Sequence, residues 1–254
     1  MAKVKLVPMS RGALWIALGC RSVARNPTMW FVLATGCTVL FLILSQFGLG
    51  GALVAWLISP VFMGGLLYAA RENEDGHPMQ PAYLVYGFRD NGILWKLVAL
   101  GGMLLVMLVV SLAVGVAFIG EANLRRMELG SPDPLSLDDI KGPVLIGLML
   151  IMLVQLVVSA AVAYAVPLIM FDKVSAGRAM WASLTACVRN ALPLLLFSVI
   201  YFLLLIAISL PLLLICVALF SAVGLFWFPI ILGWLLLPPS VAMLYASYRD
   251  CFEA

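Results

Sequence analysis

Charged residues are scarce in this chain of 254 residues, and their scarcity excludes a soluble domain. They make up 11% of the sequence, whereas a soluble domain contains about 25%. Apolar side chains make up 65%, and the mean hydropathy is +1.14. The net charge of +3 lacks the basic excess that indicates binding to nucleic acid. The sequence therefore predicts one polytopic membrane domain over residues 1–254.

The sequence has a single histidine and no closely spaced cysteine pair. His77 lies near Glu72, Glu74 and Asp75, but this spacing fits no known pattern of metal ligands. No serine–histidine–aspartate set and no phosphate-binding loop accompanies it. The five cysteines are scattered, which disfavours a disulfide framework. We therefore expect a non-catalytic protein without a cofactor or a metal site.

Ionisable side chains are missing from the centres of the apolar runs. Lys96 is the nearest to an exception, and it can reach the headgroups from one turn inside the third run. Ion-coupled transporters place ionisable groups at mid-membrane, so this mode of transport is disfavoured. Gln155 is the only strongly polar side chain well inside a run, and it is a candidate intramembrane polar site. A lone glutamine more often makes one hydrogen bond between helices, so packing is the favoured interpretation.

Six apolar runs are long enough to cross a bilayer as helices, which need about 20 residues each. They cover residues 29–47, 50–70, 93–119, 144–171, 193–216 and 226–247. The sequence therefore predicts an all-α membrane protein with six transmembrane helices. Its first two helices are joined by a tight hairpin at Gly48-Leu49.

Lysine and arginine fall mainly on one side of these runs. Only Arg125, Arg126 and Lys141 lie on the side opposite the amino terminus, out of 15 basic residues. By the positive-inside rule, both termini are then cytoplasmic, in a bacterial inner membrane. The basic stretch of residues 1–25 leads into a run without a small-residue cleavage site, so we expect it to be retained rather than removed as a signal peptide.

The runs group into three pseudo-repeated units, at about residues 9–72, 78–173 and 175–250, each an interfacial amphipathic helix followed by a two-span hairpin. The interfacial segments cover residues 10–25, 81–89 and 175–189, and each ends near an arginine and an asparagine. Pro60 precedes Arg71 by eleven residues, as Pro238 precedes Arg249, and Leu-Tyr-Ala lies between them in both units. The second unit lacks this Leu-Tyr-Ala sequence.

The third interfacial segment has the clearest helical pattern. Arg178, Thr185 and Arg189 share one face at 100° per residue. The opposite face carries the apolar side chains Met180, Leu184, Cys187 and Val188. Such helices lie along the headgroups, with arginine at phosphate and tryptophan at the boundary. The candidate residues for contact with lipid or a partner are Arg11, Trp15, Arg21, Arg25, Arg89, Arg178, Trp181 and Arg189.

Three motifs carry a resemblance to a known group of proteins. They are GHPMQPAYLVYGF at residues 76–88, PLIMFDKVSAGRAMWASL at 167–184, and the proline–tyrosine–arginine ending of the last run. The chain resembles a family of uncharacterised proteobacterial six-span inner-membrane proteins. That family is similar to the membrane domain of some glycerophosphoryl diester phosphodiesterases. The resemblance implies no established activity, and the phosphodiesterase catalytic domain has no counterpart in this sequence.

Two functions remain open from the sequence. The favoured one is a non-catalytic membrane scaffold or accessory subunit that binds lipid or a partner complex. The alternative is a carrier or flippase-like protein for a lipidic or neutral solute, with a continuous cavity lined by Gln155 and the proline-containing even-numbered spans. The expected partners are membrane lipids and another membrane protein or complex, not nucleic acid. The outer loop at residues 121–141 is long enough to contact a periplasmic partner, although a solvated connector is the simpler interpretation.

Overall fold

The computed structural model describes residues 4–120, Asn123, Arg126 and residues 142–252. The described elements are all helical. They are α1 (Arg11–Arg25), α2 (Pro27–Ser45), α3 (Gly48–Glu74), a 3-10 helix (Pro81–Phe88), α4 (Asn91–Ile119), α5 (Pro143–Ala163), α6 (Ala165–Asp172), α7 (Ala176–Arg189), α8 (Ala191–Phe220) and α9 (Gly224–Phe252), with a short 3-10 turn (Ser221–Val223) before α9.

Six stretches among the described residues are long and apolar enough to cross a membrane, which confirms the predicted number. Five of them are α2, α3, α4, α8 and α9, and the sixth runs from Val144 to Asp172 through α5 and α6. The first hairpin turns at Gln46 and Phe47, two residues earlier than expected. Gly48 then begins α3 with a φ of +57°, a left-handed conformation that glycine adopts without strain.

The fourth span, which the sequence predicts over residues 144–171, is broken at Tyr164. The Ser183 hydroxyl of α7 lies between two groups that would otherwise bond to each other. It accepts a hydrogen bond from the Tyr164 backbone N–H at 2.9 Å and donates one to the Ala160 carbonyl at 2.7 Å. Pro167 follows, and a proline ring clashes with the carbonyl four residues earlier. An inserted side chain and a proline are both established causes of helix kinks.

The second interfacial segment is a 3-10 helix rather than the predicted amphipathic α-helix. It packs on α2 and α3. A Cβ atom on Gly65 of α3 would lie 2.4 Å from the Leu84 carbonyl oxygen, so the backbones of the two helices approach closely. This close packing leaves Gly87 buried.

The interfacial segments share a packing arrangement. The 3-10 helix packs on the preceding hairpin of α2 and α3, and α7 packs on the preceding α4, α5 and α6. Helix α1 has no preceding hairpin, and it packs on the last one, formed by α8 and α9. All three segments lie at one end of the bundle, which we call the basic end, where α3, α6 and α9 finish.

The N-terminal segment fastens α7 to α9 at the basic end. The Lys5 backbone N–H donates to the Cys251 carbonyl at 2.9 Å. The Asn190 side chain accepts a hydrogen bond from the Val7 backbone N–H and donates one to the Lys5 carbonyl, both at 2.9 Å. The core lies at this end and includes the buried side chains of Trp15, Leu67, Leu97, Leu168 and Tyr248.

Candidate functional site

A cleft with basic walls opens at the basic end, between α1 and the last turns of α3 and α9. Its volume is about 220 Å³. The charged groups in its lining are Arg21 and Arg25 of α1, Glu74 of α3, and Arg249 and Asp250 of α9. We call it the arginine cleft.

Both carboxylates of the arginine cleft are already engaged. Asp250 accepts hydrogen bonds from the Arg11 Nε at 2.7 Å and from the Trp15 indole N–H at 2.6 Å. The Arg11 guanidinium also contacts the second Asp250 oxygen, and this bonding raises the pKa of Arg11. Glu74 forms an ion pair with Arg249.

Arg21 and Arg25 are exposed in the cleft. Neither makes an ion pair or a hydrogen bond with any part of the chain that the structure describes. Arg25 only comes within electrostatic range of Glu74, whose carboxylate is held by Arg249. Two guanidinium groups one helical turn apart are therefore free to donate hydrogen bonds to an anion, and phosphate geometry suits the planar guanidinium.

Small and polar residues place α1 at this position. A Cβ atom on Gly12 would lie 2.2 Å from the Pro193 carbonyl oxygen of α8, so only glycine permits this approach. The Asn73 side chain of α3 is buried, and its amide donates to the Ser22 carbonyl at 2.8 Å and to the Ser22 hydroxyl at 2.9 Å. Asn73 also accepts a hydrogen bond from the Asn26 side chain. The orientation of Arg21 and Arg25 thus follows from contacts on both sides of α1.

A second cleft lies on α7, with a volume of about 350 Å³. We call it the α7 cleft. It is lined by Val4, Leu168, Val174, Gly177, Arg178, Trp181, Ala182 and Thr185. The Trp181 side chain is 67% exposed, so its indole is available to a ligand or to lipid.

The structure separates the predicted interfacial residues into groups. Arg21 and Arg25 share the arginine cleft, and Arg178 and Trp181 share the α7 cleft. Two others line neither cleft: Arg89 lies over the Tyr86 ring at 5.5 Å, and Arg189 is exposed.

Trp15 was predicted to lie at the membrane boundary, and this assignment is wrong. Its side chain is fully buried because its indole N–H bonds to Asp250 and its ring packs edge-on against Phe197, with the ring centres 6.1 Å apart. Arg11 is bound to the same carboxylate, so it acts with Trp15 in holding α1 to α9. Neither Asp250 nor Asn73 was singled out from the sequence. The one available signal was their position, polar residues near the ends of long apolar runs.

Helix α7 buries a face that the sequence analysis did not single out. Its buried residues are Ala176, Ala179, Ser183 and Ala186, a stripe of small side chains at helical spacing. The predicted apolar face is partly or fully exposed, with Val188 at 70%. The helix therefore has three sides: a small-residue side against α5 and α6, an apolar side, and a side with Arg178 and Arg189.

Gln155 is exposed on α5, and the favoured prediction of one hydrogen bond between helices is wrong for it. Within the described ranges its amide has no hydrogen-bond partner. It lines an open concavity whose described walls come from α5 alone. The prolines of the even-numbered spans do not line this concavity, in contrast to the expectation for a carrier.

The titratable groups of the described residues are scattered or paired. The described residues contain no group of three potential metal ligands, and His77 pairs with Glu72 at 3.1 Å on an exposed surface. Burial raises the pKa of the Cys187 thiol to about 11, which disfavours a nucleophilic thiolate. Except for Asn123 and Arg126, the outer loop at residues 121–141 lies outside the described residues.

The chain matches a known protein along most of its length. The chain is 26% identical, over 97% of its length and 92% of the relative's, to a protein of Burkholderia thailandensis named as a probable inner membrane protein. No family model matches the chain. No solved structure matches it either. Together, this likeness and the six apolar helices identify a multi-pass inner-membrane protein.

Proposed function

We propose that this protein is a non-catalytic scaffold or accessory subunit whose basic end binds anionic phospholipid headgroups through the arginine cleft. The observation that carries the proposal is that Arg21 and Arg25 have neither an ion pair nor a hydrogen bond among the described residues, in a cleft whose carboxylates are both occupied. Two such guanidinium groups attract phosphate, and each basic residue near an anionic membrane surface contributes about 1 kcal/mol to the attraction.

The proposal places the basic end at the cytoplasmic leaflet. The described residues Arg11, Arg21, Arg25, Arg71 and Arg249 all lie in or beside the elements that meet there. An excess of lysine and arginine marks the cytoplasmic side of inner-membrane proteins. Both termini are then cytoplasmic, as the sequence predicts.

A three-unit architecture is part of the same proposal. Its support is the recurrent packing of each interfacial segment on the preceding hairpin, with α1 completing the series on α8 and α9. Three related units would also explain the matching positions of Pro60 and Pro238 near the middle of α3 and α9. The motif resemblance to the membrane domain of some glycerophosphoryl diester phosphodiesterases fits the same non-catalytic role.

The first test is to extract the protein with its surrounding lipid into nanodiscs and to identify what co-purifies by mass spectrometry. Stoichiometric protein companions would support an accessory subunit and name its complex. Enrichment of phosphatidylglycerol or cardiolipin would support headgroup binding. One enriched neutral lipid or small molecule, with no protein companion, would favour the carrier alternative instead.

The second test measures phosphatidylglycerol binding by native mass spectrometry in the double variant Arg21→Gln/Arg25→Gln. Removing two contacts of about 1 kcal/mol each should weaken binding about 30-fold. The control is Arg89→Gln/Arg189→Gln, which removes the same charge from residues outside both clefts. Equal losses in the two variants would show that binding depends on net charge and would overturn the assignment to the arginine cleft.

A further inference from the structure

We propose that the α7 cleft holds one phospholipid molecule, with its phosphate on Arg178 and the first part of an acyl chain against the apolar floor. The floor consists of the side chains of Val4, Leu168, Val174 and Ala182. The inference deepens the proposed function and rests on its placement of the basic end at the headgroup level.

The polar part of the cleft selects an anion. Among the described residues, Arg178 forms no ion pair and no hydrogen bond. The Thr185 hydroxyl donates its proton to the Trp181 carbonyl at 2.8 Å, so it has no proton left for a ligand. The Arg178 guanidinium and the Trp181 indole N–H are then the side-chain donors that remain, and they need an acceptor such as a phosphate oxygen.

The apolar part of the cleft requires an amphiphile rather than free phosphate. Val4, Val174 and Ala182 are partly exposed along its floor, and the Trp181 ring at its edge is 67% exposed. Inorganic phosphate would leave this apolar surface in contact with water. A phospholipid would cover it, at roughly 25 cal/mol for each Å² of apolar surface removed from water.

The position of α7 fits the depth of a phosphate and its glycerol. The helix follows the end of the fourth span at Asp172 and precedes the fifth, which begins at Ala191. A helix between two span ends lies at the boundary of headgroups and acyl chains, where tryptophan is favoured. Arg178 therefore lies at the depth of the lipid phosphate, and the apolar floor lies at the depth of the first part of the acyl chain.

Gly177 gives a way to fill the cleft without removing charge. A Cβ atom at this position would meet no atom within 4 Å, and its φ is not in the left-handed region. A larger side chain would therefore extend into the cleft, and replacing glycine within a helix favours helix formation. Gly177→Leu is thus expected to fold and to compete with the ligand.

The experiment measures quenching of Trp181 fluorescence by phosphatidylglycerol with brominated acyl chains, titrated into the full-length protein in maltoside micelles. The signal is the difference from the same protein carrying Trp181→Phe. We expect saturable quenching that reaches a plateau at one lipid per protein. Gly177→Leu and Arg178→Gln should each raise the half-saturating lipid fraction at least about tenfold, and Arg189→Gln, the same charge change on the same helix, should leave it unchanged.

Three results would overturn the inference. They are unchanged binding in Gly177→Leu, equal losses in Arg178→Gln and Arg189→Gln, and equal binding of brominated diacylglycerol, which has no phosphate. The variant Arg21→Gln/Arg25→Gln separates this site from the arginine cleft. If the variant binds one phosphatidylglycerol fewer than wild type by native mass spectrometry but keeps the Trp181 quenching, both sites stand. If the variant and wild type bind the same number and the quenching persists, the arginine cleft alone is refuted.

Discussion

Replacing Asp250 with alanine should loosen the attachment of α1 to α9. In the folded protein the Asp250 carboxylate accepts hydrogen bonds from Arg11 at 2.7 Å and from the Trp15 indole at 2.6 Å. Alanine removes both acceptor oxygens. The Trp15 indole N–H is then left without a partner in a site where its side chain is fully buried, and Arg11 is left without its carboxylate.

The expected loss of stability is about 2–4 kcal/mol. A buried donor that loses its partner costs about 1–3 kcal/mol. The ion pair adds only about 1 kcal/mol, because the Arg11 side chain is 37% exposed and water screens its charge. For a protein of this size, 1 kcal/mol corresponds to about 2–4 °C. The melting temperature should therefore fall by about 5–15 °C.

A thiol-reactive fluorescent dye can follow the unfolding in detergent. Cys37 in α2 is buried in the folded protein, so it reacts with the dye only on unfolding. Cys20 is exposed and should be replaced with serine in every variant to remove its background. Cys251 is next to the mutated Asp250 and should also be replaced with serine, so that the dye does not report local changes at the mutation.

A double-mutant cycle tests the assignment of the cost to the indole. Trp15→Phe removes the N–H, so Asp250→Ala should cost at least about 1 kcal/mol less in that background. Asp250→Asn keeps an acceptor oxygen and should lie between wild type and alanine. The reasoning is refuted if Asp250→Ala changes stability by less than about 0.5 kcal/mol, or if the two changes are additive within that limit.

Two further substitutions can be tested in the same melting assay. Gly101→Ala in α4 should lower the stability by about 1–3 kcal/mol, because its Cβ would lie 2.2 Å from the Leu57 carbonyl oxygen of α3. The control is Gly102→Ala, where a Cβ meets nothing within 4 Å. This variant should have unchanged stability or gain up to about 1 kcal/mol. Gln155→Leu should stabilise the protein by about 1–2 kcal/mol, since it replaces an unpartnered amide on an exposed face of a span; a lower melting temperature would mean that the amide has a partner in the membrane.

The spans could be predicted because bilayer thickness fixes how long an apolar run must be. The sequence placed all six, and its small errors concern where helices begin and end. It could not identify Ser183, because that hydroxyl enters the break from another helix, nineteen residues further along the chain. A helix break of this kind depends on tertiary packing.

The two arginines of α1 in the arginine cleft could be predicted from the local sequence, but their setting could not. Arg21 and Arg25 are one turn apart on an interfacial segment, and this local spacing was enough to select them. Their importance depends on Asp250 and Glu74 being occupied by Arg11 and Arg249, and the bond between Arg11 and Asp250 joins residues 239 positions apart. No local pattern contains that information.

Trp15 shows why general preferences mislead at such a site. Tryptophan favours the membrane boundary because its ring is apolar and its N–H needs a polar partner. A buried carboxylate meets the same need, and Asp250 provides it within the protein. Trp181 has no such carboxylate within hydrogen-bonding distance among the described residues, and it remains exposed at the α7 cleft. The two tryptophans have the same preference, but Trp15 finds its acceptor on the neighbouring helix and is buried, whereas Trp181 is left exposed.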